Sequence, residues 1–286
     1  RANAGTSTIA LRIYLGADGV TVTGSRLEAT GTNYVVRLEG VTPTLVSITG
    51  SQLLAASPTS RTVSTDYCLG SYGCTTISPD PTGQLVPFTN NWWGTADPVA
   101  ISAQIYDYAD GGYRAPLIDF TPFLDGPTGN PVPGTFVWGP ISANTTWSAA
   151  QSPYLMVEDV TVLPGATLTL DAGVTVQAQG AYTLETQGTL QATGTAASPI
   201  SFVSGQASPA AGQWTGLYFT GSGGGTLTQT IIQHAQYGVQ LTGTGTVSLT
   251  NSTIEQCSSS AVYVNNGSLT VSGSTLRANA GTSTIA

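Results

Sequence analysis

Four segments of this chain share one eight-residue pattern: apolar, Ser/Thr, apolar, Ser/Thr, Gly/Asn, Ser, any residue, Ile/Leu. They are Val20–Leu27 (VTVTGSRL), Val46–Leu53 (VSITGSQL), Val247–Ile254 (VSLTNSTI) and Leu269–Leu276 (LTVSGSTL). Alternation of this kind predicts a strand with one apolar and one polar face. Val20, Val22, Val46, Ile48, Val247, Leu249, Leu269 and Val271 then point to a core, and Thr21, Thr23, Ser47, Thr49, Ser248, Thr250, Thr270 and Ser272 point outward. Position five is Gly24, Gly50, Asn251 or Gly273, residue types that accept a left-handed backbone. A bend there returns Leu27, Leu53, Ile254 or Leu276 to the core side. A second alternating strand accompanies each motif: Ile9 through Leu15, Val36 with Leu38, Val239 with Leu241, and Val262 with Val264.

The motif begins at positions 20 and 46 near one end of the sequence, and at 247 and 269 near the other. One strand–turn–strand unit per period of 22 to 27 residues predicts a solenoid. Leucine-rich repeats would need helix-forming stretches and a different Leu spacing, and neither is present. The expected fold is all-β, a parallel β-helix in which each rung lies over the next around a narrow aliphatic column. Residues 155–221 alternate as densely and read as earlier rungs, with turns at Pro164–Gly165, Ala172–Gly173 and Gly188. Trp214 is expected to plug a rung edge or corner.

A longer repeat encloses the short one. Residues Arg1–Ala10 (RANAGTSTIA) recur letter for letter as Arg277–Ala286, a displacement of 276. Carried forward by 276, the motif at position 20 falls at 296, a step of 27 from position 269. The short series therefore continues through the splice, and the expectation is a tandem array of copies. Residues 58–145 break the rhythm with Pro, aromatic residues and Cys68/Cys74. We read 1–57 as the last rungs of one copy and 58–124 as an irregular cap covering an otherwise open coil end. Residues 125–145 are then an interdomain linker and the start of the next unit, and 146–286 the first rungs of the next copy. Trp92, Trp93, Trp138 and Trp147 are the aromatics expected to weld neighbouring domains.

Composition narrows the function classes. Only 8% of residues are charged, all seven basic residues are Arg, and the net charge is −8. Nucleic-acid and anionic-membrane surfaces are disfavoured, since phosphate binding needs clustered cations. No apolar run approaches the length a membrane-crossing helix needs, roughly 18 residues or more, so no span is expected. Cys68 and Cys74, in CLGSYGC, suit a local disulfide in an oxidising compartment; a metal site is the competing reading. Cys257 is expected as a small buried side chain.

At NNWWG, followed by Ile101, Ile105, Asp107, Asp110 and IDFTPFL, the chain resembles the closing segment of bacterial right-handed parallel β-helix repeat proteins of the secreted or cell-surface, tandem-repeat type. TTWSAAQSPYLMVEDVTVLPGATLTLDAGVTVQ resembles their opening segment, and ASPISFVS…GQWTGLYF their early rungs. Those motifs specify an architecture shared by surface fibres, adhesins and carbohydrate-active enzymes, so the likeness alone does not choose a function.

Cleavage of polysaccharides on such a scaffold needs clustered carboxylates, as acid and base or as Ca2+ ligands, with an Arg or Lys base. Glu28, Glu39, Asp171, Glu185 and Glu255 are instead scattered one per rung, and Glu158–Asp159 are expected on opposite faces. His234 is the only histidine and has no local nucleophile or acid, which predicts a hydrogen-bonding corner residue. Asp107, Asp110 and Asp119 are read as solvated cap acids, with a structural Ca2+ as the alternative. No catalytic residue, metal or cofactor is assigned. The outer hydroxyls are expected in two columns, with ice binding and lateral filament contact as alternatives to plain packing tolerance. The expected function is a structural repeat unit of an extracellular or cell-surface filament whose partners are further copies of the same repeat. A glycan-binding adhesin module is the runner-up.

Overall fold

The computed structural model describes residues 9–14, 19–30, 34–39, 45–57, 60–66, 85–111 and 117–278. The chain divides into two compact units, Arg1–Pro133 and Gly134–Ala286. Cys68 and Cys74 lie outside the described residues.

The first unit opens with β1 (Leu11–Tyr14), β2 (Val20–Thr23) and β3 (Arg26–Glu28). Each pairs in parallel with its counterpart one rung on: β4 (Val36–Glu39), β5 (Val46–Thr49) and β6 (Gln52–Leu54). The motifs at positions 20 and 46 therefore stack in register, with Val20 on Val46 and Val22 on Ile48. The stack does not stop at residue 57. β7 (Val63–Asp66) lies on β4, and β9 (Ile105–Tyr106) lies on β7. β8 (Leu85–Pro87) pairs with β10 (Leu117–Asp119), Trp92 bridges Gln52, and the Leu124 N–H donates to the Asn91 carbonyl. The stretch expected as an irregular cap thus carries further rungs. Its strands are only two to four residues long. Unequal insertions separate them, so no periodic pattern survives in the sequence. One insertion holds α1 (Pro98–Ser102), started by the Asp97 side chain accepting from Val99 N–H at 3.0 Å, with Pro98 in the first turn. Another holds the single turn α2 (Tyr108–Gly111).

In the second unit β11 (Thr135–Ile141) already pairs with β13 (Tyr154–Val162), so the coil begins at the head of the chain's second half. One sheet stacks β12 (Thr145–Trp147), β14 (Thr167–Leu170), β17 (Thr189–Thr193), β20 (Gly224–Thr228), β23 (Thr246–Thr250) and β26 (Ser268–Ser272). The other sheet runs around a corner in two columns. The first half of β13 leads to β15 (Thr175–Ala178), β18 (Ile200–Ser204), β21 (Thr230–Gln233), β24 (Thr253–Cys257) and β27 (Thr275–Ala278). Its second half leads to β16 (Thr183–Thr186), β19 (Gly216–Phe219), β22 (Tyr237–Leu241) and β25 (Ser260–Val264). All these pairs are parallel, so every rung repeats the direction of the one before. The chain is a parallel β-helix protein.

The core of the second unit is a set of columns one residue wide. Leu170, Ala192, Leu227, Leu249 and Val271 follow one another in register. All but the last are buried. Each buried large aliphatic side chain contributes about 1.5–3 kcal/mol. The steps from β20 to β23 and from β23 to β26 are equal in length, with Leu227 facing Leu249 and Leu249 facing Val271. Between β17 and β20 the step is longer, Thr189 facing Gly224. The largest group of extra residues leaves the coil after β18. Trp214 closes their base: its buried indole Nε1 donates to the Gln233 carbonyl at 2.8 Å, and its backbone bridges Ala235.

Candidate functional site

The corner after each motif strand is built by the residue at position five. Gly24, Gly50 and Gly273 have φ of +55°, +59° and +60°, and Asn251 has +48°. Gln229, one rung before Asn251, adopts the same bend at +50° without being Gly or Asn. The residue after the bend has a role that the sequence reading missed. Ser51 Oγ accepts from Ser25 N–H at 3.1 Å, and Asn91 Oδ1 accepts from Ser51 N–H at 2.8 Å. In the second unit Ser252 Oγ accepts from Thr230 N–H and Ser274 Oγ accepts from Ser252 N–H, both at 3.0 Å. Each rung's amide thus donates to the side chain of the following rung, always in one direction. The hydroxyls donate in turn to carbonyls at the bend, Ser25 to Thr23, Ser51 to Thr49 and Ser274 to Ser272. The ladder satisfies backbone groups that strand pairing leaves free at a corner. Its signal was visible: position six is Ser in all four motifs.

The outward hydroxyls form the expected columns. Thr21 lies on Ser47 and Thr23 on Thr49. In the second unit Thr146, Thr169, Gln191, Thr226, Ser248 and Thr270 share one column, and Thr193, Thr228, Thr250 and Ser272 the next. No charged residue interrupts either series, which spares the stack a column of like charges at about 4.8 Å spacing. Such a face offers neutral hydrogen-bond donors and acceptors.

The carboxylates are dispersed and tied to neighbouring rungs. Glu185 accepts from Thr220 Oγ1 at 2.5 Å and Gln187 Nε2 at 3.0 Å. Glu255 accepts from Gln233 Nε2 at 2.8 Å and Arg277 Nη1 at 3.5 Å. Asp159 takes the Thr183 N–H at 2.7 Å, and burial pushes its pKa up, with Glu185 adding to the shift. Among the described residues no three or more His, Cys, Asp or Glu side chains gather as a metal group. Asp107 corrects the expectation of a solvated acid. It is 2% exposed, accepts from Ile118 N–H at 2.7 Å and Ala109 N–H at 2.9 Å, and fastens β10 to the α2 turn. Burial raises its pKa to about 7, against those two donors. His234 sits at a corner with φ +66°, its Nδ1 accepting from Ser204 N–H at 3.4 Å, and burial lowers its pKa. Cys257 is buried and free, and burial raises its pKa to about 11.

The candidate aromatics separate into different environments. Trp93 is buried in the first unit, 6.3 Å from Phe88 and 6.5 Å from Phe120 between ring centroids, with Phe120 6.3 Å from Phe123. Trp147 is buried in the second, stacked on Tyr154 at 4.7 Å. These two fill their own units' cores, because a coil end needs a large apolar side chain to exclude water. Trp92 and Trp138 are half-buried.

The outermost rungs differ from the interior. Val46, Ile48, Leu53, Val247, Leu249 and Ile254 are buried as expected, while Val20, Val22, Leu27, Leu269 and Leu276 are only half-buried. Val271, expected in the core, is 41% exposed, and Val264 is 45% exposed. Alternation places them inward correctly, but among the described residues no further rung covers them.

Residues 139–254 match the family model described as a pectate-lyase-like beta helix domain. The Drosophila melanogaster protein named Protein bark beetle is 32% identical over 124 residues, covering 38% of this chain and 4% of that protein. The chain therefore spans a small fraction of that relative's length. No solved structure matches at a significant level.

Proposed function

We propose that this chain is a structural repeat unit of a long extracellular or cell-surface filament, in which copies of the β-helix follow one another and supply reach and stiffness. The observation that supports this reading is a coincidence of sequence and rung structure. The strand–bend–strand unit of β26 and β27, the last described in the second coil, has the same pattern as β2 and β3 in the first. Ten residues of identical sequence, 276 apart, mark where one would pass into the other. Neutral outward hydroxyls and the sparse charge suit a rod exposed to the surroundings. The bacterial, secreted setting belongs to the same proposal. The test is the mass of the denatured native polypeptide, with electron microscopy of its shape. A visibly elongated polypeptide with several times the mass of one 286-residue chain is expected. A compact particle of single-copy mass would overturn the reading.

A glycan-binding module is the second reading. It is favoured by tyrosines on three successive rungs: Tyr218 accepts from Thr242 Oγ1 at 3.1 Å, and the Tyr237 and Tyr263 rings lie 5.8 Å apart. Aromatic rings near the surface suit stacking against sugars. Retention on an immobilised polysaccharide, lost in Tyr237→Ala, would support it. Polysaccharide cleavage is the reading that the pectate-lyase-like match brings, and it is tested by release of sugars with and without added Ca2+. Release that disappears in Asp159→Asn or Glu185→Gln would replace the structural proposal with an enzymatic one.

A further inference from the structure

We propose that the rung β25–β27 is a docking surface for the rung β1–β3 of a second copy of this chain, seated as the next turn of one continuous coil. This deepens the filament reading and rests on it for the choice of partner. Three independent features of the two rungs fit each other.

The apolar positions match. Within each unit, equal motif positions pair: Val20 with Val46, Leu27 with Leu53, Val247 with Leu269, Ile254 with Leu276. The same rule sets Leu269 over Val20, Val271 over Val22 and Leu276 over Leu27 of the second copy. These are the motif residues left half-buried or exposed in the present structure.

The corner ladder has complementary ends. Every step runs from an amide to the side-chain oxygen of the following rung. Among the described residues, Ser274 N–H has no further rung to donate to, and Ser25 Oγ receives no amide from a preceding one. Ser274 of one copy and Ser25 of the next are therefore donor and acceptor. A tail-to-tail arrangement would bring two donors together.

The charges also alternate. The register that sets Leu276 over Leu27 sets Arg277 over Glu28. Arg277 already reaches Glu255 of the preceding rung at 3.5 Å, so the second copy would complete a Glu255–Arg277–Glu28 row.

The test uses the whole chain and two single-ended variants, Val271→Arg on the trailing rung and Val22→Arg on the leading rung, with light scattering across a concentration series. The unmodified chain is expected to form oligomers whose mass rises with concentration. Each variant alone should self-associate about 100-fold more weakly or worse, since an unpaired charge at a dry contact is costly. An equimolar mixture should give a one-to-one dimer, because one variant keeps its trailing rung and the other its leading rung. That dimer also shows that both variants fold. Three outcomes overturn the proposal: an unmodified chain that stays monomeric, oligomers that persist in either variant, or a mixture with no dimer although the unmodified chain assembles. The filament reading fails separately, through the mass of the denatured native polypeptide, which non-covalent docking does not change.

Discussion

In the first unit the final rungs run into Phe88, Trp93, Phe120 and Phe123, all buried, and Asn91 takes over the corner from serine. In the second unit the last described rung repeats the ordinary motif and leaves Tyr263, Val264 and Val271 with 41%, 45% and 41% of their surface in solvent. The two coils use the same strand unit, so the difference lies in the layer stacked beyond it. In the first unit large rings replace the next aliphatic layer, and an amide side chain with two donor hydrogens replaces the single hydroxyl. That amide is Asn91: Oδ1 receives the Ser51 amide, and Nδ2 donates to the Ile48 and Phe88 carbonyls, each at 2.7 Å. Ser274 has one hydroxyl hydrogen, directed at the Ser272 and Leu249 carbonyls, and its rung keeps the ordinary motif.

The comparison breaks most sharply at the rings. Trp93→Ala should destabilise the first unit by about 3–5 kcal/mol, read as a fall in its urea midpoint while hydrogen exchange in the second unit stays unchanged. Next comes a pair in direct register, Leu249 and Val271. Leu249→Ala should cost about 2–5 kcal/mol. Val271→Ala in the monomeric chain should stay within about 0.5 kcal/mol; equal losses would mean that the last rung is covered. Asn91→Ala orphans buried backbone groups and should cost about 1–3 kcal/mol. Asn91→Ser, which restores an acceptor but only one donor hydrogen in place of the two used by the amide, should recover only part of the lost melting temperature.

The gentlest effect is a pH slope. The Asp107 pKa is raised to about 7 in the folded chain, so the folded state holds the proton more tightly than the unfolded one. Stability from this group is fully present below the ordinary carboxylate pKa and is lost as pH rises through about 7. The slope should not exceed about 1.4 kcal/mol per pH unit. Asp119 is shifted upward too, with the same sign. His234 in the second unit is shifted downward, and its contribution is lost as pH falls. Denaturant titrations between pH 4 and 8 should show the first unit's slope shrinking in Asp107→Asn; an unchanged slope would remove Asp107 as its source.

Where a local rule governs a residue, the sequence was readable. Alternation alone separates Val46 and Ile48 from Ser47 and Thr49, and the left-handed corner at Gly24, Gly50, Asn251 and Gly273 follows from the backbone those residue types tolerate. The ladder was written at position six but went unread, since serine is common throughout this chain and hydroxyl spacing along the axis is a property of stacked rungs. Residues 63–124 hid their strands because unequal insertions separate them and leave no period. Val264 and Val271 show a further limit: alternation assigns a face, whereas exposure depends on whether another layer exists. Asp107 looked like any acid in a loop, and only the approach of Ile118 from another strand made it a buried clamp.

The excursion sealed by Trp214 shows that residue count and axial advance are uncoupled at that corner. Pairing with the layers on either side fixes where the strand must resume, and the intervening segment is free to vary. A peptide grafted among residues 206–212 would hang from the coil as an ornament, and every turn downstream would keep its height and its neighbours.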